Sequence, residues 1–92
     1  MSQSHSDTFE IINELGMHAR AATKLVQTAS RFNAEVQIEK DGHVANAKSV
    51  MGVLLLCGHR GSRVKISAQG EEAESAVKAI GELIADRFGE PS

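Results

Sequence analysis

The stretch Leu15–Ala22, LGMHARAA, decides how the first half of the chain folds. A run with helical spacing opens directly after His18. Its apolar residues recur three and four positions apart, at Ala22, Leu25, Val26, Ala29 and Phe32. Because this spacing places apolar side chains on one face of an α-helix, we predict a helix from about Ala19 to Arg31. His18 then lies at its N-terminus.

The N-terminus of this predicted helix is suited to bind phosphate. Its first backbone N–H groups have no intrahelical acceptor, and the helix dipole makes this end positive. Such ends bind anions, phosphate above all. Arg20 adds a guanidinium, which grips phosphate oxygens through two hydrogen bonds. A histidine in this setting is suited to accept a phosphoryl group, although a lone histidine at a helix start more often serves as a surface residue or weak cap.

Outward from this helix, strand patterns alternate with helix patterns. Thr8–Asn13 is rich in β-forming residues, and residues 35–39 and 63–69 alternate apolar and polar side chains. Asp41-Gly42 predicts a tight hairpin that returns through Val44–Ala47. The chain therefore supplies four predicted strands, two of them joined by the hairpin.

Two further helices complete the pattern. Ser49 is a good N-cap for a short helix from Val50 to about Cys57. Gly70 ends the last strand, and acidic residues open a third helix whose apolar face comprises Ala76, Val77, Ile80, Leu83, Ile84 and Phe88. The order βαββαβα predicts an α+β fold, an open-faced β-sandwich. Its four-stranded, mainly antiparallel sheet carries three helices on one face.

Length and composition limit the class of protein. The 92 residues allow one small domain, which we place at residues 8–90 after a flexible polar leader at 1–7. The net charge of -2 argues against a nucleic-acid-binding protein. The lone Cys57 excludes an internal disulfide and suits a buried position. Because the longest apolar run, Val53–Cys57, is too short to cross a bilayer, we expect a cytoplasmic protein without membrane insertion.

Two motifs, GMHARAA at 16–22 and KSVMGVL at 48–54, resemble the HPr phosphocarrier family of the phosphoenolpyruvate-dependent sugar phosphotransferase system of bacteria. The likeness runs from about Thr8 to about Phe88, and HPr-like proteins have the open-faced sandwich described above. One position departs from the family, which commonly reads HARPA, because Ala21 replaces the proline. Alanine keeps the helix, makes it less rigid and adds one backbone N–H near the phosphate.

The resemblance implies a phosphoryl carrier, not an enzyme, that uses no cofactor or metal and acts with partner phosphotransferases. His18 would accept the phosphoryl group on Nδ1, the pros nitrogen facing the helix start, and Arg20 would contact it. The donor would be phosphorylated enzyme I, and the acceptors would be the A domains of enzymes II. We expect the carrier to be a monomer.

Partner docking is expected on an apolar surface beside His18. The candidates are Met51, Gly52, Leu54 and Leu55, with Met17 beside them. Leu54 and Leu55 fit a core position equally well. Ser49 has two interpretations. It caps the second helix, and in HPr proteins of some bacteria the corresponding serine is phosphorylated by an HPr serine kinase/phosphorylase that switches the carrier off.

Three other functions stay open at this point. A nitrogen-branch phosphocarrier of the same fold differs in partners and shares the mechanism. A regulatory HPr-like protein would be controlled through Ser49, with His18 vestigial. A small α+β binding module would carry no phosphate chemistry at either residue.

Overall fold

The chain folds in the predicted order of strands and helices. A computed structural model describes residues 3–56 and 58–92. In chain order the elements are β1 (Ser4–Glu10), α1 (Ala19–Ser30), β2 (Glu35–Lys40), β3 (His43–Asn46), α2 (Val50–Leu55), β4 (Arg63–Gln69) and α3 (Ala73–Ala85), followed by one 3₁₀ turn (Arg87–Gly89). The predicted βαββαβα order is confirmed.

The four strands form one antiparallel sheet in the order β1-β4-β2-β3. Alternation along β2 and β4 buries one face and leaves the other in solvent. The helices cover the buried face, so the predicted open-faced sandwich is confirmed. The hairpin between β2 and β3 turns at Asp41 and Gly42, whose φ angles of 52° and 81° are those of the tight turn that Asp-Gly favours.

The core is built from aliphatic side chains, alanines and one aromatic ring. α1 contributes mostly small residues, which let the helix lie close to the sheet. The largest buried hydrophobic side chains are Phe88, Ile11, Leu25, Ile38, Ile66, Ile80 and Ile84. Phe88 reaches the core differently from the prediction, since α3 ends at Ala85 and the ring enters from the turn that follows.

That turn brings the C-terminal residues back toward α1. Arg87 and Phe88 both have φ of 55°, a left-handed conformation that side chains disfavour. The Phe88 ring is fully buried, and its carbonyl accepts a hydrogen bond of 2.5 Å from Nζ of Lys24 in α1. Core packing and this bond together fix the direction in which the chain leaves α3.

Some predicted boundaries differ from the structure. β1 begins at Ser4, inside the stretch predicted to be a leader, and it ends at Glu10. Its register with β4 extends to Ser4 opposite Gln69, and an edge strand with exposed side chains needs no apolar alternation. α2 ends at Leu55, before the predicted end at Cys57. Cys57 and its predicted burial lie outside the described residues.

Across residues 3–56 and 58–92, every helix is too short or too polar to span a bilayer.

Candidate functional site

The loop before α1 is held tightly in place. Gly16 has φ of 68°, and a Cβ built on it would lie 2.7 Å from both the carbonyl oxygen of Gly58 and the Cα of His59. The amide of Met17 donates to that same carbonyl at 2.6 Å. Only glycine fits both the positive φ and the close approach. This loop therefore delivers His18 in a fixed position.

His18 is the N-cap of α1. Its backbone is extended, with φ of -83° and ψ of 178°, and its carbonyl accepts the first helical hydrogen bond, from Ala22 at 2.9 Å. Nδ1 accepts a hydrogen bond of 3.2 Å from the amide of Arg20. The imidazole is 28% exposed. Nδ1 thus faces the helix start, as predicted, while the ring remains open to solvent.

The other ring nitrogen contacts a carboxylate from the far end of the chain. Nε2 of His18 is hydrogen-bonded to Oε2 of Glu90. Oε1 of Glu90 accepts a hydrogen bond of 3.0 Å from Nδ2 of Asn13, which also donates to the Gly16 carbonyl at 2.8 Å. Asn13 is fully buried, and the Glu90 side chain is 12% exposed. Both contacts of the Asn13 amide are with acceptors, so this orientation of the amide follows from the hydrogen bonds.

Glu90 is held in its charged form by these neighbours. The hydrogen bond from Asn13 lowers the pKa of Glu90 below its usual value of 4.5. The hydrogen bond from His18 lowers this pKa further, as does the charge of Lys24, while burial acts in the opposite direction.

The two contacts of the imidazole select one tautomer of the neutral ring. Nδ1 accepts from a backbone N–H, so it carries no proton. Nε2 faces a carboxylate, so it carries the proton and donates it. The lone pair of Nδ1 is therefore directed at the N-terminus of α1, the kind of position at which proteins can bind anions.

His18 and Glu90 open onto a shallow surface depression. Arg20 is exposed and is one of the residues that line this depression. The residues that line the depression are Glu14, Leu15, His18, Ala19, Arg20, Glu90, Pro91 and Ser92. Leu15 is 71% exposed there and adds an apolar contact surface that the sequence analysis did not assign.

Asn13 and Glu90 were not predicted from the sequence as part of this site. Glu90 and His18 are 72 positions apart, and no periodic pattern links them. A weak indication does exist for Asn13, which follows two isoleucines and directly precedes the His18 loop. A polar residue there suggests a buried hydrogen-bonding role.

Of the predicted docking residues, two are prominent on the surface of α2. Met51 is 70% and Leu55 77% exposed. Gly52 is half-buried, and Leu54 is half-buried against the core. Met17 is only 6% exposed, so the prediction that it contributes to a docking surface is wrong. Its side chain packs into the core because its backbone is tied to Gly58.

Ser49 caps α2 as predicted. Its Oγ accepts a hydrogen bond of 3.1 Å from the amide of Gly52. Ala21, which replaces the proline common in the family, is fully buried within α1, and the helix is regular through this position.

Comparisons with known proteins agree with this architecture. Residues 5–86 match a family model described as the phosphorylation site of the HPr component of the phosphotransferase system. Phosphocarrier protein HPr of Xylella fastidiosa is 42% identical over 80 residues, which cover 87% of this chain and 90% of that protein. The crystal structure of HPr-C-His from Thermoanaerobacter tengcongensis superposes with a TM-score of 0.92 at 45% identity, covering 96% of this chain and 99% of that one.

A larger relative contains a similar segment. The multiphosphoryl transfer protein of Salmonella typhimurium is 44% identical over 88 residues, which cover 92% of this chain and 23% of that protein. The fold and these relatives define a phosphocarrier protein. The chain belongs to the HPr family of the bacterial phosphotransferase system, as its resemblance implied.

Proposed function

We propose that this chain accepts a phosphoryl group from phosphorylated enzyme I on Nδ1 of His18 and passes it to the A domains of enzymes II. The observation that carries the proposal is the orientation of the imidazole. Its Nδ1 lone pair faces the N-terminus of α1 through the Arg20 amide, on a ring that is 28% exposed. A partner can therefore reach the nucleophile, and the helix end is ready to receive the phosphate oxygens.

The transfer needs no proton to move on the carrier. The Nδ1 lone pair attacks phosphorus, the bond from phosphorus to the donor atom of enzyme I breaks, and its electron pair stays with the donor. As the N–P bond forms, the Arg20 amide loses its acceptor on Nδ1 and becomes available to a phosphate oxygen. The Arg20 guanidinium adds charge-assisted contacts. Transfer to an enzyme II A domain reverses these steps with a new nucleophile.

We place the docking surface on α2, around Met51 and Leu55. Both side chains are largely exposed, and methionine suits a surface that must accept several partners. The C-terminal side of α2 adjoins the His18 loop through Gly58, which accepts the Met17 amide. An apolar surface next to the nucleophile would let enzyme I and the A domains bind in turn. We expect a cytoplasmic monomer that meets these partners one at a time.

Replacing the histidine tests the proposal. His18→Ala should abolish acid-labile phosphorylation by enzyme I and labelled phosphoenolpyruvate. His43→Ala is the matched control, because His43 is exposed on β3 and should leave labelling unchanged. Circular dichroism should show that both variants fold. If the His18→Ala protein still acquires acid-labile phosphate, His18 is not the acceptor.

A further inference from the structure

Glu90 is placed beside His18 by the core, and its contact with His18 is part of the folded structure. Phe88, two residues earlier, is fully buried and bonded through its carbonyl to Lys24. Gly89 then turns the chain with φ of 78°, and the amide of Glu90 donates to the Arg87 carbonyl at 2.9 Å. These contacts fix the direction of the backbone that places Glu90 beside the imidazole.

We propose that Glu90 is a positioning residue for phosphoryl transfer: its carboxylate keeps the proton on Nε2 of His18 and thereby keeps the Nδ1 lone pair free to attack phosphorus. This inference rests on the proposed function of His18. The hydrogen bond from Nε2 to Glu90 and the hydrogen bond from the Arg20 amide to Nδ1 act on opposite edges of one ring. Together they fix both its tautomer and its orientation.

The same carboxylate acts during the chemical step. When Nδ1 bonds to phosphorus while Nε2 keeps its proton, the imidazole ring gains positive charge. A carboxylate on the Nε2 proton stabilises that charge, and it does so in a partly buried position where water screens it less. A ring that keeps this proton also leaves more readily when the phosphoryl group moves to an A domain. Glu90 is thus expected to assist transfer in both directions.

Asn13 positions Glu90 in turn. Its buried amide donates to Oε1 of Glu90 and to the carbonyl of Gly16. One side chain therefore connects the carboxylate to the loop that delivers the histidine. Because Asn13 presents donors to Glu90, it favours the ionised carboxylate that the Nε2 proton requires.

The variant Glu90→Gln tests the inference. An amide offers one oxygen and one NH₂ group, but it would face two donors, Asn13 Nδ2 and the Nε2 proton of His18. Either Asn13 Nδ2 or the Nε2 proton of His18 would then face the NH₂ group of the glutamine, which is itself a donor. The imidazole can avoid this conflict only by changing tautomer. We expect ¹⁵N chemical shifts of the imidazole to show a loss of the Nε2–H form. We also expect phosphoryl transfer to slow by about ten- to a hundredfold.

Two phosphoryl donors distinguish a role of Glu90 in positioning His18 from a role in docking enzyme I. Phosphorylated enzyme I must dock, whereas potassium phosphoramidate transfers its phosphoryl group to Nδ1 with release of ammonia and has no docking surface. Glu90→Gln should slow both reactions similarly. The matched control is Glu82→Gln, which removes the same charge from an exposed position on α3 outside the depression and should leave tautomer and rates unchanged. Thermal melting of both variants excludes unfolding.

The outcomes differ for the two proposals. If the wild-type chain takes no phosphate from enzyme I, the proposed function itself fails. If the wild type is phosphorylated but Glu90→Gln keeps its tautomer and both rates, Glu90 does not position the ring. A loss confined to enzyme I would assign Glu90 to docking and would equally overturn the inference. Slower reaction with both donors, together with the tautomer change, supports it.

Discussion

The N-termini of α1 and α2 are built alike and differ in what surrounds the capping side chain. His18 and Ser49 both have extended backbones, and each accepts a hydrogen bond from an amide of the first turn, at 3.2 Å and 3.1 Å respectively. Serine is a favoured cap, and histidine is an unusual one. At α1, however, the cap has a second ring nitrogen, which is bound to Glu90.

This difference shows how one local geometry serves two purposes. A serine hydroxyl can rotate to suit its partner, so capping by Ser49 needs no further support. An imidazole must have its proton on the correct nitrogen before it can act as a nucleophile, and Glu90 and Asn13 supply that control. The N-terminus of α1 thus combines a cap with the proposed nucleophile, whereas the N-terminus of α2 combines a cap with an exposed apolar surface.

The largest effect on stability is expected in the loop that delivers the α1 cap. Gly16→Ala should destabilise the fold by about 2–4 kcal/mol, because it adds a methyl group against the Gly58–His59 backbone and places alanine at positive φ. Gly61→Ala is the control, since Gly61 has φ of 90° with no atom within 4 Å of its added Cβ, and should lose only about 1 kcal/mol. Chemical denaturation measures both. Equal losses would show that the close approach at Gly16 does not matter.

The next largest effect is expected from removing the positive charge of Arg20 near the N-terminus of α1. Arg20→Ala should leave phosphorylation by enzyme I detectable but slow transfer by about ten- to a hundredfold, since a charge-assisted contact to phosphate is lost. Arg31→Ala, at the exposed C-cap of the same helix, removes an equal charge away from the site and should have no such effect. Rapid-quench kinetics on both variants decide the matter. If Arg20→Ala leaves the rates of transfer from enzyme I and to the A domains unchanged, Arg20 does not contact the phosphoryl group.

Substitutions at Ser49 test the α2 cap. Ser49→Ala should lose about 1 kcal/mol of stability, and Ser49→Asp should keep it, because aspartate is an equally good cap and suits the helix dipole. If α2 is the docking surface, Ser49→Asp should also weaken transfer from enzyme I in a salt-dependent way. Ser75→Ala, at an exposed position of α3, is the control for both the melting temperature and the transfer rate. Normal transfer by Ser49→Asp at low salt would argue that Ser49 is only a cap.

The smallest expected effect is a difference in pH dependence: the stability contributed by Glu90 at the α1 cap should change with pH, and the stability contributed by the Ser49 cap should not. The pKa of Glu90 is lowered on folding, so its stabilising contribution is present above about pH 4.5 and is lost as pH falls through the folded-state value. The stability difference between wild type and Glu90→Gln should therefore be largest near neutral pH and vanish in acid. The loss in Ser49→Ala should persist, since neither Ser49 nor Gly52 titrates. A Glu90→Gln difference independent of pH would contradict the lowered pKa.

Local features of this fold could be predicted from the sequence. The alternation of residues 63–69 gives β4 its observed bounds, Asp41-Gly42 forms the expected hairpin, and Ser49 caps α2. Each depends on residues close together in the chain.

Features that depend on tertiary packing could not be predicted. Met17 is buried because its amide meets Gly58, 41 positions later. The turn after α3 uses positive φ at Arg87 and Phe88 before it reaches Gly89, and neither residue type indicates such a conformation. The contact between Glu90 and His18 follows from that turn. His18 could therefore be proposed as the nucleophile from local sequence, while Glu90, the group proposed to hold its proton, could not be found there.

The most direct test of the account locates the phosphoryl group itself. Wild-type protein labelled uniformly with ¹⁵N is incubated with enzyme I and phosphoenolpyruvate, and ³¹P–¹⁵N coupling is measured by NMR. We predict one acid-labile phosphoryl group coupled to Nδ1 of His18, with the proton retained on Nε2. A phosphoryl group on Nε2, on another histidine or on Ser49, or no phosphorylation at all, would contradict it.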